Sequence, residues 1–175
     1  MADRSRARAL AAQAIRDGAP LRWFDELYQE AEENRALVPW DDQRPNPHLV
    51  AWLDANPFAP GSAALDVGCG RGDNAEELAR RGFLVTAFDV SPRAVEQAQR
   101  RFPQSSVRYQ AADLLAPPEE WRGAFALVQE TYTLQVLPPA ERRRAADALA
   151  SLVAPGGTLL VIARGRRPDE PAGEM

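Results

Sequence analysis

Lysine is absent from this chain, and all 21 of its basic side chains are arginine. Cysteine and histidine occur once each, at Cys69 and His48. A single cysteine excludes an intrachain disulfide, and so sparse a Cys/His set offers no zinc cluster, so no metal is expected. No apolar run approaches the ~18 residues of a membrane span, and the N-terminus lacks the apolar centre of a secretory signal. A cytoplasmic chain without a membrane partner is the expectation. Positive charge is not in surplus either: the formal net charge of −4 gives no broad electrostatic basis for binding nucleic acid. Arg4, Arg6, Arg8 and Arg16 make the N-terminus locally basic, but no aromatic residue precedes Trp23. They read as a solvated helix face rather than an RNA-binding arm. Arginine without lysine, alongside plentiful alanine and proline, is a composition that GC-rich bacterial genes encode.

What is present suits one compact α/β domain: 175 residues, 45% hydrophobic and 26% charged. Ala/Arg/Leu-rich sequence from Asp3 to about Asp17 predicts a helix closed by Gly18 and Pro20. A second helix is predicted from Leu21 to about Asn34, with Trp23, Phe24, Leu27, Tyr28 and Ala31 on one face. Pro39, Pro45 and Pro47 forbid regular helix between Val38 and Pro47, and Pro47 can open a third helix, His48–Ala55. Thereafter strand and helix alternate. Strands are predicted at Ala63–Val67, Leu84–Val90, Val107–Ala111, Phe125–Gln129 and Thr158–Ala163. Helices are predicted at Asp73–Arg81, after Ser91-Pro92, and at Pro139–Val153, the last stopped by Pro155-Gly156-Gly157. Such alternation predicts a parallel sheet covered on both faces, with the ligand at the carboxyl ends of the strands. The expected divisions are 1–60, an N-terminal helical cap; 61–164, the ligand-binding domain; and 165–175, a polar tail.

The chemistry concentrates at Asp66-Val67-Gly68-Cys69-Gly70-Arg71-Gly72. Glycines there permit a tight turn and close backbone approach by a ligand. A dinucleotide loop would want little negative charge and a third glycine where Asp73 stands. Asp66 before the loop and Asp73 after it suit a cationic ligand instead. Asp89 ends the next strand, 23 residues on, where a carboxylate can accept ribose hydroxyls. Asp113 follows the third strand, placed to accept an exocyclic amine. Acids favour strand ends and helix starts anyway, yet three successive strand ends converge on one crevice.

Leu65–Gly72, Ala87–Pro92, Ala112-Asp113-Leu114, Phe125–Val128 and Leu152–Gly157 together resemble the successive motifs of class I S-adenosylmethionine-dependent methyltransferases, over about residues 60–164. The resemblance implies a Rossmann-like, doubly wound, mostly parallel sheet of order 3-2-1-4-5, with S-adenosylmethionine as cofactor. It implies a methionine end held around Asp66, Gly68 and Gly70, ribose held by Asp89, and adenine contacts from Val90, Asp113 and Leu114. Cys69 reads as a space-filler in the loop. Trp23–Tyr28, Val38-Pro39-Trp40-Asp41 and Pro45–Leu49 more faintly resemble the N-terminal segment of the thiopurine, thiol and halide methyltransferases. By that similarity Trp40, then Trp23, lines the pocket, where an indole can face a sulfonium.

The expected function is in-line methyl transfer to a small-molecule acceptor, the protein supplying proximity and a dry site. Candidates for a base are Glu130, expected just past the fourth strand and also near the cofactor, and His48. The usual sixth and seventh strands have no counterpart, so the expectation is either a truncated form of a longer chain or a partner, such as a second copy in a homo-oligomer, covering the fifth-strand edge. Two other readings stay open: a cofactor-binding but catalytically incomplete partner module, and an NAD(P)-dependent oxidoreductase.

Overall fold

The computed structural model describes residues 5–165. Three helices come first: α1 (Ser5–Arg16), α2 (Arg22–Glu32) and α3 (Pro47–Ala55). The alternating part follows as β1 (Ala63–Val67), α4 (Asp73–Arg80), β2 (Leu84–Asp89), α5 (Pro92–Arg101) and β3 (Arg108–Ala111). It continues through a short 3-10 turn at Glu119–Trp121 to β4 (Phe125–Thr131), α6 (Thr133–Val136), α7 (Pro139–Leu152) and β5 (Val153–Ile162).

The sheet order is β3-β2-β1-β4-β5 and every neighbouring pair is parallel. β1 is the central strand because its short apolar run can be buried on both faces, as a parallel strand must be. Ala64 packs with α3 and α4 side chains Leu49, Leu53, Ala75 and Leu78. Leu65 and Val67 pack on the opposite side with Ala145, Leu149 and Leu152 of α7. The order reverses between β1 and β4, and a crevice opens at their carboxyl ends.

Local signals set the helix starts. Ser91 caps α5 by accepting from the Ala94 amide at 3.1 Å, and Pro92 occupies the first turn. Asn46 does the same for α3, its side chain accepting from the His48 amide at 2.9 Å. α1 and α2 pack together, and their cluster reaches Ala94 of α5. Arg6 pairs with Glu30 across the two helices, so one of the N-terminal arginines ties α1 to α2. Arg4 and residues 166–175, which include most of the predicted polar tail, lie outside the described residues.

Two strand boundaries differ from expectation by more than one residue. β4 runs on to Thr131, because Glu130 and Thr131 pair with Val161 and Ile162 of β5. β5 begins at Val153 rather than Thr158, because Pro155-Gly156-Gly157 forms an irregularity inside the strand. Gly156 takes φ +76°, and a Cβ on Gly157 would lie 2.9 Å from the Ala154 carbonyl oxygen. Those residues end the helix and then kink a strand, rather than forming a separate loop.

Candidate functional site

The glycine loop leaves β1 with three glycines at positive φ: Gly68 at +66°, Gly70 at +53° and Gly72 at +91°. All three are also fixed by close neighbours, Gly72 by the Tyr109 hydroxyl, which its Cβ would overlap. A Cβ on Gly68 would collide with the Thr133 side chain, whose hydroxyl donates to the Val67 carbonyl at 3.1 Å. A Cβ on Gly70 would stand 2.9 Å from the Tyr28 hydroxyl.

Asp89, at the end of β2, grips this loop. One carboxylate oxygen accepts from the Gly70 amide at 2.9 Å and the other from the Ser91 amide at 2.9 Å. Burial pushes its pKa up to about 6, with those two amides pulling the other way. Each oxygen keeps a lone pair for a hydroxyl donor. Asp66 lies deeper. One of its oxygens accepts from the Gln129 side chain across the β1–β4 register, and the other is buried with no hydrogen-bond partner. Burial pushes its pKa up to about 7, the Gln129 bond opposing and the Asp89 charge adding to the rise. An orphaned buried carboxylate oxygen beneath a glycine loop fits a ligand that carries a cation.

Two cavities share this loop. The first, about 700 Å³ counting the solvent at its mouth, is mainly apolar. Its walls bring together Asp89, Val90, Asp113 and Leu114 with Gly68 and Trp40, six of the residues singled out in the sequence. Asp113 is oriented by the Leu115 amide, which donates to it at 2.8 Å. Leu21, Phe24, Val136 and Leu137 complete the apolar wall. The second cavity is polar and runs over Gly70 and Arg71, between Asp41, Arg44, Asn46, Asp73 and Asn74. Tyr28, Trp40, Gly68, Thr131 and Tyr132 belong to both walls, so the cavities meet there.

The proline-rich loop is held over the glycines by charge. Asp41 pairs with Arg71 at 2.6 Å, and Arg71 also donates to Gln97 at 2.8 Å. The Asn46 amide donates to the Asn74 side chain at 2.8 Å, and the Asn46 side chain donates to the Tyr132 hydroxyl at 3.2 Å. Tyr132 sits at φ +67°, a strained setting for a residue with a Cβ.

Several predicted residues are not brought to these cavities. Glu130 is fully buried, lines neither cavity, and accepts from the Thr133 and Leu134 amides at 2.7 and 3.3 Å. It closes the start of α6, a turn too short for its sequence to betray. Burial raises its pKa, the two amides opposing, and its second oxygen is buried without a hydrogen-bond partner. His48 is exposed on α3 and lines neither cavity. Trp23 is core, stacked on Phe24, while Phe24 and Tyr28 from the same helix face the cleft. Asp73 lines the polar cavity but is held by Arg101 through two bonds of 2.6 and 2.8 Å, so its charge is already matched. Asp66 lies beneath the loop rather than in either wall. Burial pushes the Cys69 thiol up, which keeps it protonated and inert. Among the described residues no His/Cys/Asp/Glu group could hold a metal, and no helix is long and apolar enough to cross a membrane.

Sequence reasoning missed Arg44. It lines the polar cavity, and no described residue offers it an ion pair or hydrogen bond. Its only sequence signal was a place in the proline-rich loop.

The family model described as a methyltransferase domain matches residues 64–157. A ubiquinone biosynthesis O-methyltransferase of Xanthomonas campestris pv. campestris is 36% identical over 140 residues, covering 74% of this chain and 57% of that protein. The chain thus spans less than two thirds of that relative's length. Among solved structures, one from work on the conversion of a disulfide bond into a thioacetal group during echinomycin biosynthesis superimposes with TM-score 0.68 and 27% identity, covering 78% of this chain and 57% of the other. Magnesium protoporphyrin IX methyltransferase from Synechocystis, solved with S-adenosylmethionine bound, superimposes with TM-score 0.54 and 30% identity, covering 61% and 51%. With its glycine loop, strand-end acids and sheet order, the chain belongs to the class I S-adenosylmethionine-dependent methyltransferases.

Proposed function

We propose that the chain holds S-adenosylmethionine across the two joined cavities and transfers its methyl group to a small, largely apolar acceptor. The observation that carries this reading is the joined pair of cavities with opposite chemistry over one glycine loop. The apolar cavity has an acid at each place a nucleoside needs one: Asp89 for the ribose hydroxyls and Asp113 for the adenine amine, with Val90 and Leu114 as apolar contacts. The polar cavity offers Arg44 to a carboxylate, and Asp66 lies below with an unspent oxygen for an ammonium.

When bound, S-adenosylmethionine supplies an electrophilic methyl on a sulfonium. The side chains orient and exclude water, which is most of what an in-line displacement asks of a protein. Trp40 and Tyr132 stand where the cavities meet and would screen the transferring carbon from solvent. An apolar acceptor is supported by the wall of Leu21, Phe24, Val136 and Leu137, and by a relative named for O-methylation in ubiquinone biosynthesis.

The test is methyl transfer from labelled cofactor to a panel of phenols, thiols and small amines. Turnover of an apolar member supports the proposal. Cofactor binding without turnover on any of them would favour instead a cofactor-binding module that needs a partner chain.

A further inference from the structure

Tyr28 reads at first as packing. It is 2% exposed and belongs to the cluster formed by α1, α2 and Val38. Its hydroxyl, however, reaches out of that cluster to the joint of the two cavities. The phenol oxygen accepts from the Trp40 indole N–H at 3.0 Å. An indole nitrogen can only donate, so this bond takes a lone pair of the phenol and leaves its hydrogen unspent. No described residue accepts that hydrogen. A hydroxyl whose donor is buried and unpaired costs free energy unless a ligand or water completes it.

The backbone below is shaped to admit this hydroxyl. Gly70 is the residue whose Cβ would crowd the phenol oxygen, at 2.9 Å, so the glycine loop and α2 are fitted to one another at this point. Burial and the nearby Asp89 charge push the phenol well above its ordinary pKa, which keeps it a donor throughout the physiological range. Trp40 is itself fixed edge-on to Trp23, Phe24 and Tyr28, so the indole that orients the phenol has little freedom.

We propose that Tyr28 is a cofactor-positioning residue: its hydroxyl, oriented by Trp40, donates a hydrogen bond to S-adenosylmethionine where the nucleoside in the apolar cavity joins the amino-acid portion in the polar one. This rests on the proposed placement of the cofactor across both cavities. Tyr28 would act by holding the ligand where the two cavities meet, and it exchanges no proton with the acceptor. Because the same atoms at that joint persist after the methyl has left, substrate and demethylated product are held alike.

The experiment is titration calorimetry of S-adenosylmethionine and S-adenosylhomocysteine against the wild-type chain, Tyr28→Phe and Trp40→Phe, with a ligand-free thermal melt of each. Tyr28→Phe keeps the ring in its cluster and removes only the hydroxyl. The expected result is a loss of affinity of roughly 5- to 15-fold for both ligands, the equivalent of one neutral hydrogen bond, with the melting midpoint unchanged within about 3 °C. Trp40→Phe, which leaves the phenol but frees its orientation, should weaken both ligands as well. Affinity of Tyr28→Phe within twofold of wild type overturns the proposal. So does an affinity loss accompanied by a collapsed thermal transition, which would make the hydroxyl part of the fold. A wild-type chain that binds neither ligand would sink the cofactor placement itself, and this inference with it.

Discussion

On the proposed placement of the cofactor, the Asp66 carboxyl should make affinity depend on pH, with a size that follows from its burial. Its pKa stands at about 7, against an ordinary value near 3.9, because it is enclosed under the glycine loop with one oxygen unpartnered. A cation bound above it favours the ionised form. Between pH 8 and pH 6 the ionised fraction falls from about nine-tenths to about one-tenth, so affinity for a cationic ligand should fall roughly tenfold. Below pH 7 binding should release a proton, detectable as a heat that scales with the ionisation enthalpy of the buffer. The ligand-free protein should show the opposite trend. A carboxyl whose folded pKa is raised stabilises the fold fully below its unfolded pKa and loses that contribution as pH rises through about 7. The shift corresponds to the order of 4 kcal/mol. Asp66→Asn keeps the acceptor that Gln129 needs but cannot ionise. It should shrink the change between pH 6 and 8 from roughly tenfold to about the twofold left by Asp89, half protonated at pH 6, and should melt higher than wild type at pH 8 but not at pH 4. Titration calorimetry across that range, with parallel thermal melts, decides the matter. A wild-type affinity that is flat from pH 6 to 8 would refute the assignment of a cation to this carboxylate.

Two further outcomes are expected. Asp89→Ala should weaken S-adenosylmethionine by on the order of 2 kcal/mol, through loss of a charge-assisted bond to ribose; unchanged affinity in a calorimetric titration would remove the ribose from the end of β2. Arg44→Ala should weaken S-adenosylmethionine and S-adenosylhomocysteine but leave adenosine, which has no carboxylate, as it was; a matching loss for adenosine would show that Arg44 does not read the amino-acid end.

Much of the fold was legible because the signals are local. β1 is an apolar run closed by glycines, Ser91-Pro92 announces α5, and Pro139 opens α7, so each element carries its own boundary. Asp89, Val90, Asp113 and Leu114 were legible for the same reason: a residue at a strand end is placed by its strand. Residues set by tertiary contact were not. The loop carrying Arg44 is positioned by the Asp41–Arg71 pair and the Asn46–Asn74 bond, between residues about 30 apart in sequence. Glu130 looked like a base because its burial and its capping of α6 depend on β4 extending to Thr131. Tyr28 and Trp23 share one helical stripe, and periodicity alone could not say which of them reaches the cleft and which fills the core.

The central claim is that the charge pattern around the glycine loop selects a nucleoside carrying a sulfur-linked amino-acid end. Titration calorimetry of the chain with S-adenosylmethionine, S-adenosylhomocysteine and NAD tests it most directly. The account predicts saturable binding of both sulfur compounds at one site per chain, and none of NAD. Absence of binding by both sulfur compounds, or binding of NAD in their place, would contradict it.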